Sequence, residues 1–214
     1  MDVEIDVKKT LAELRENGFY AIKNFWPKEK CQEAISEINR APRQLFEKGQ
    51  GGDFRLQHSN KYIPSANEFL NDTSVQKIAS AYSTCNRADR VVAGVLKHQE
   101  GQVTDSGGGW HVDSDRDFQF KSFIYLTDVN THNGPFMIVK KSKKYANDVP
   151  KHSNFRIQEK NILNFCHPDD IIEILGTAGT LILADSTYIH RGKNINSGTR
   201  YSYTTYFYDR EPKI

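Results

Sequence analysis

The stretch Arg200-Tyr201-Ser202-Tyr203-Thr204-Thr205-Tyr206-Phe207-Tyr208 is a run of β-branched, aromatic and hydroxyl side chains without glycine or proline, the composition of a strand. Alternation sorts it into two unlike faces. Arg200, Ser202, Thr204 and Tyr206 share one, and Tyr201, Tyr203, Thr205 and Phe207 share the other. The first face can line a polar cavity, while the second, almost wholly aromatic, can pack beneath a layer of helices. Working back along the chain, the same texture recurs at residues 188–191, 180–184, 171–175, 136–139, 118–127 and 90–97, in short runs separated by glycine, asparagine and proline. No helix-length pattern alternates with these runs as a parallel sheet requires. The expected fold is therefore mainly β, a double-sheet jelly roll.

The chain before this region reads differently. Val7, Leu11 and Leu14 fall at helical spacing over residues 7–17, and Gly18 follows where a helix end favours glycine. Residues 19–25 read as a strand. Pro27 then opens a helical stretch in which Cys31, Ala34, Ile35 and Ile38 share a face. Gly49 to Asp53 breaks the pattern as a loop, and two more helices are expected over residues 65–70 and 73–82, the second capped by Asn71 or Asp72. The expected organisation is one domain over residues 1–214, with a helical support region at 1–85 and a jelly-roll core at 86–214.

A chain of 214 residues and 24.5 kDa can bury a core of its own without covalent staples. Cys31, Cys85 and Cys166 show no CxxC spacing, so neither a zinc knuckle nor a disulfide framework is indicated. The acidic, amphipathic start and the lack of a long apolar run point to a soluble, cytoplasmic protein without a membrane partner. The net charge of +2 gives no argument for a nucleic-acid partner, and the cluster Lys140, Lys141, Lys143 and Lys144 reads as a solvated loop.

Chemistry enters through histidine. Two histidines and one carboxylate can hold a redox metal on one face and leave three positions open, and the sequence form is HxD or HxE followed by a distant His. A spacing of two on an extended segment points both side chains the same way. Seven histidines and 27 acidic residues give about one such pair by composition, so the motif alone carries little. This chain has three: His98 with Glu100, His111 with Asp113, and His167 with Asp169. Context separates them. His167 precedes His190 by only 23 residues, too few for the strands of a jelly roll, and His98 stands at a turn entry before Gly101. His111-Val112-Asp113 follows Gly107-Gly108-Gly109-Trp110, precedes a strong strand and lies 79 residues before His190. His190, in the extended segment Tyr188-Ile189-His190-Arg191-Gly192, is the natural third ligand, whereas His132 and His152 lie among turn residues. Arg200, ten residues after His190, is suited to grip a carboxylate bidentately.

Together these residues resemble the phytanoyl-CoA dioxygenase-like family of 2-oxoglutarate oxygenases. The resemblance is carried over residues 90–208 by Trp110-His111-Val112-Asp113, Tyr125-Leu126-Thr127-Asp128, Asn133-Gly134-Pro135-Phe136, and Gly179-Thr180-Leu181 leading to His190, Asn194 and Arg200. Lys141-Ser142-Lys143 stands where the family has a PGSH-like turn, a departure, as is Gly192 where relatives carry a hydroxyl. The resemblance implies a double-stranded β-helix, Fe(II) held by His111, Asp113 and His190, and the cosubstrates 2-oxoglutarate and O2. Arg200 would hold the distal carboxylate of 2-oxoglutarate, and Lys121, by position, would reach it too. The implied reaction is hydroxylation of a C–H bond of a small-molecule or carrier-bound metabolite, with release of succinate and CO2. Two rival readings stand beside it: a cupin-like metal isomerase or hydrolase using the same ligands, and a non-catalytic jelly-roll binding module.

Overall fold

The computed structural model describes residues 5–49, 52–83, 87–101, 109–113, 119–152 and 156–208. Cys85, Gly107, Gly108 and Phe118 lie outside them. Helix α1 spans Val7–Asn17; the Asp6 carboxylate accepts from the Lys9 N–H, and Gly18, at φ 85°, closes the other end by donating to the Leu14 carbonyl. A side chain at Gly18 would also collide with the Tyr188 ring. Strand β1 covers only Phe19–Ile22, shorter than expected, because the left-handed Asn24 turns the chain and the Phe25 and Trp26 N–H groups donate to the Gly179 carbonyl instead.

Helix α2 (Lys28–Arg40) buries Cys31, Ala34 and Ile38. Strands β2 (Glu47–Lys48) and β3 (Asp53–Leu56) follow, a hairpin where only a loop was expected: its outer strand is the exposed, charged pair Glu47 and Lys48, which disguises it. Helices α3 (Pro64–Leu70) and α4 (Thr73–Ser83) come next, the latter capped by the Asp72 side chain on the Val75 N–H. The remaining elements are β4 (Arg87–Lys97), β5 (Gln119–Tyr125), β6 (Phe136–Val139), α5 (Glu159–Ile162), β7 (Ile171–Ile174), β8 (Leu181–Asp185), β9 (His190–Gly192) and β10 (Thr199–Tyr208).

Seven strands form one sheet in the order β1-β8-β5-β10-β4-β3-β2, and three form a second in the order β7-β6-β9. Every pairing of these strands is antiparallel. This is the expected jelly roll. The region up to residue 85 is less purely helical than its sequence suggests, since β1, β2 and β3 complete the larger sheet at both edges.

The larger sheet is packed on both sides. On its helix side Leu14, Ala34, Ile38, Phe69 and Ile78 meet Phe120, Ile124, Tyr203 and Phe207 in the main core. Between the sheets Tyr125, Val129, Ile138, Ile174, Ile182 and Tyr188 form a smaller cluster. The Tyr125 hydroxyl pins this layer, donating to the Ile174 carbonyl and accepting from the Phe136 N–H, both at 2.9 Å. The loop of Lys140, Lys141, Lys143 and Lys144 is not simply solvated. Lys143 reaches the buried Asp185 at 3.0 Å, and the buried Ser142 hydroxyl accepts from the Ile189 N–H at 2.8 Å.

Candidate metal centre and cosubstrate cavity

His111 and His190 face one another across an antiparallel bridge in which each N–H donates to the other's carbonyl, at 3.0 and 2.9 Å. Residues that exchange both hydrogen bonds stand directly opposite and project to the same side. Their rings are accordingly 4.5 Å apart between centroids. Asp113, two residues after His111 on the extended segment, projects to that side too, and its N–H is fixed on the Ser186 carbonyl at 3.1 Å. His111 Nε2 lies 3.3 Å and His190 Nε2 3.5 Å from Asp113 Oδ1. One ligand atom from each of the three lies within 4.8 Å of the others.

The outer nitrogens decide the chemistry of the inner ones. Nδ1 of His111 is 2.8 Å from the Gly109 carbonyl, and Nδ1 of His190 is 2.8 Å from the Tyr188 carbonyl. A carbonyl only accepts, so each Nδ1 must carry the proton and each neutral ring presents an Nε2 lone pair inward. Burial, and then the nearby His190, lower the His111 pKa to about 4, so that this ring is neutral at physiological pH. Burial alone would raise the Asp113 pKa, but the Lys121 ammonium, then His190, overcome it and hold the carboxyl well below its usual range. Two neutral imidazoles and a carboxylate aimed at one point fit a divalent metal ion.

The cluster opens on a cavity of about 580 Å³ between the sheets. Its floor is the inner face of the larger sheet, laid out in register. Asp53, Leu96 and Arg200 form one cross-strand row; Arg55, Gly94 and Ser202 the next; Val92, Thr204 and Phe123 a third. Tyr206 and Lys121 follow.

Arg200 is 3 % exposed, its guanidinium 5.6 Å from the Phe123 ring centre and bonded to the Gly134 carbonyl. Its Nε has no hydrogen-bond partner, and it forms no ion pair among the described residues. Burial lowers its pKa. Lys121 also turns into the cavity, where its ammonium contacts Asp113, stands 3.4 Å from His190 Nε2 and lies over the Tyr206 ring at 5.0 Å. Both faces of β5 are thus buried, which is why alternation alone could not orient it.

The residues set aside in the sequence lie elsewhere. His98 faces the Ile195 carbonyl at 3.3 Å, and His167 is an exposed N-cap whose Nδ1 accepts from the Asp169 N–H. His132 and His152 are exposed. Arg191 stacks on Trp110 at 4.7 Å and approaches Glu159 at 3.5 Å. Four cavity residues escaped the sequence reading: Asp53, Arg55, Lys151 and Arg156. The alternating pair Asp53 and Arg55 was the available signal, masked by the glycines before it.

A jelly roll with two imidazoles and a carboxylate lining its inter-sheet cavity has the architecture of the iron and 2-oxoglutarate-dependent oxygenases. The chain belongs to the phytanoyl-CoA dioxygenase (PhyH) family, whose model matches residues 14–201. That family uses Fe(II), 2-oxoglutarate and O2. Among solved structures, the fold is similar to the non-haem α-ketoglutarate-dependent epimerase SnoN from nogalamycin biosynthesis, at 14 % identity and a TM-score of 0.74, over 95 % of this chain and 83 % of that one. It is similar also to HygX from Streptomyces hygroscopicus, crystallised with nickel, 2-oxoglutarate and hygromycin B (16 % identity, TM-score 0.67, 94 % and 86 % covered). EctD from S. alaskensis shares the fold at 13 % identity and a TM-score of 0.72, over 95 % and 76 %. No curated protein matches the chain. No helix among the described residues is long and apolar enough to cross a membrane.

Proposed function

We propose that residues 1–214 form one catalytic unit that hydroxylates a C–H bond of a small-molecule or carrier-bound metabolite, with His111, Asp113 and His190 as the iron ligands and Arg200 as the anchor of 2-oxoglutarate. The observation that carries this reading is the buried Arg200 guanidinium, which has no carboxylate partner among the described residues. A buried cation without an ion-pair partner is costly, and a dicarboxylate whose far end meets it offsets that cost while its near end faces the metal ligands. When bound, the iron supplies oxygen activation coupled to decarboxylation of the cosubstrate.

The chain's own residues hold and orient. The Gly109 and Tyr188 carbonyls fix the imidazoles, and Ser142 ties down the Ile189 N–H beside His190. Phe123 and Phe136, stacked with centroids 6.2 Å apart, keep water from the wall between Arg200 and His190. Lys121 and Arg200 stand on rows six residues apart along β10, roughly 20 Å of strand, so the two side chains do not share one carboxylate of the cosubstrate. Lys121 serves the metal end, steadying Asp113. Small-molecule ligands are suggested by the hygromycin B bound to HygX.

The test is succinate formation. It should require both O2 and 2-oxoglutarate, rise with substrate, and accompany a product heavier by one oxygen. Succinate without any oxygen gain would favour a second outcome, removal of two hydrogens with the oxygen leaving as water, by ring closure of the substrate or, with an added reductant, by epimerisation, which the likeness to an epimerase and a carbocyclase supports.

A further inference from the structure

The cavity is far more cationic than the chain that builds it. Arg55, Lys121, Lys151, Arg156, Arg191 and Arg200 line it against two carboxylates, Asp53 and Asp113, while the whole chain carries a net charge of only +2. Part of the excess is matched locally: Arg55 bonds Asp53 through Nε and Nη2 at 3.0 and 2.7 Å, Lys121 contacts Asp113, and Arg191 approaches Glu159. An iron(II) ion and a 2-oxoglutarate dianion would enter with cancelling charges, so the cosubstrate leaves the excess as it stands.

What remains is concentrated at Lys151 and Arg156, neither of which has a carboxylate partner among the described residues. Lys151 is an exposed residue at the cavity rim, and the place of Arg156 is set by backbone pairing. Ile157 donates its N–H to the Trp110 carbonyl at 2.9 Å and bridges Lys151 on its other side. Ile157 and Trp110 are buried together in a cluster behind the wall. Arg156, next to Ile157, alternates to the opposite face, the one on which His111 follows Trp110. A guanidinium thus borders the cavity one strand from the ligand cluster. Like charges gathered in a partly desolvated cleft repel one another until an anion enters.

We propose that the primary substrate is a small molecule bearing a phosphate or carboxylate group, bound by Arg156 and Lys151 at the mouth while its reacting C–H bond is presented to His111, Asp113 and His190. This rests on the oxygenase reading above and adds the substrate's chemical class. A strongly charged group at the mouth also fixes the reacting carbon at a set distance from its anchor, which gives position selectivity.

The experiment uses the full chain loaded anaerobically with Fe(II) and 2-oxoglutarate and titrated by calorimetry with two matched pairs: glycerol 3-phosphate against glycerol, and 3-phenylpropionate against 3-phenylpropan-1-ol. The acid of at least one pair should bind at least tenfold more tightly than its alcohol, and the pair that responds separates phosphate from carboxylate recognition. In the double variant Lys151→Ala/Arg156→Ala the preference should fall below about threefold, while the visible band of the iron and 2-oxoglutarate complex persists. Absence of an acid preference in both pairs, or a preference that survives the double substitution, overturns the proposal. Failure of the band to form in the unsubstituted protein would instead sink the oxygenase reading, because the acid preference is read without turnover.

Discussion

The two sides of the seven-stranded sheet are built from the same strands and obey opposite rules. On the helix side, Phe120, Ile124, Tyr203 and Phe207 are essentially inaccessible in the main apolar core, where the Tyr203 hydroxyl is matched by Ser65 at 2.9 Å. On the cavity side, Arg200, Ser202, Thr204, Tyr206 and Lys121 come from the neighbouring positions of β10 and β5, and the charges there are only partly matched from within the chain. One side carries stability and the other carries chemistry at a cost in stability, so substitutions on the two sides should separate the two properties.

The largest effect should come from the cavity side. His190→Ala, or Asp113→Ala, is expected to abolish Fe(II) binding and 2-oxoglutarate turnover with the fold retained, checked by metal titration and circular dichroism. His98→Ala and His167→Ala should leave metal binding intact, and a loss of metal in either would break the assignment of the ligands.

Phe207→Ala makes the opposite change on the helix side. Its ring lies 5.6 Å from Phe120 in a sealed core, so the substitution should cost about 3 to 5 kcal/mol in denaturant unfolding. The 2-oxoglutarate half-saturation of the molecules that remain folded should stay within about twofold, on the expectation that remote core losses act on stability alone.

Arg200→Met, seven positions earlier on the same strand, sharpens the contrast. Removing a buried cation that lacks an anionic partner is expected to leave stability unchanged or raise it by up to about 1 to 4 kcal/mol. The half-saturation for 2-oxoglutarate should rise roughly tenfold or more, the worth of a charge-assisted pair. A variant that unfolds more easily would recast Arg200 as a structural donor to the Gly134 carbonyl.

The smallest effect is expected at Arg191. Its guanidinium stacks on Trp110, so Arg191→Ala should change the half-saturation for 2-oxoglutarate by less than about twofold, measured by succinate formation.

The contrast between the two faces was legible in residues 200–208 because period-two alternation needs no tertiary information. The helix end at Gly18 and the cap at Asn71 or Asp72, which the structure resolves to Asp72, were equally local, whereas the Asp6 cap was not read from the sequence. The pairing of His111 with His190 was reached through spacing and context, since only a long-range bridge brings them together. What stayed hidden depended on packing between distant segments. The hairpin of β2 and β3 has charged outer residues, and its inward Asp53 and Arg55 acquire meaning only opposite Gly94 and Ser202. The orientation of Lys121 was undecidable because β5 is buried on both faces. Arg156 carries no periodic sequence signal, and its place beside the ligand strand follows from one bridge between Ile157 and Trp110.

The central claim is that His111, Asp113 and His190 hold an iron ion that 2-oxoglutarate chelates. Anaerobic visible spectroscopy tests it most directly. Adding Fe(II) and then 2-oxoglutarate to the purified chain should produce the metal-to-ligand charge-transfer band of a chelated 2-oxoacid, and neither addition alone should do so. The band should be absent from His190→Ala and should need a higher 2-oxoglutarate concentration in Arg200→Met. No band in the unsubstituted protein, or an undiminished band in His190→Ala, would contradict the account.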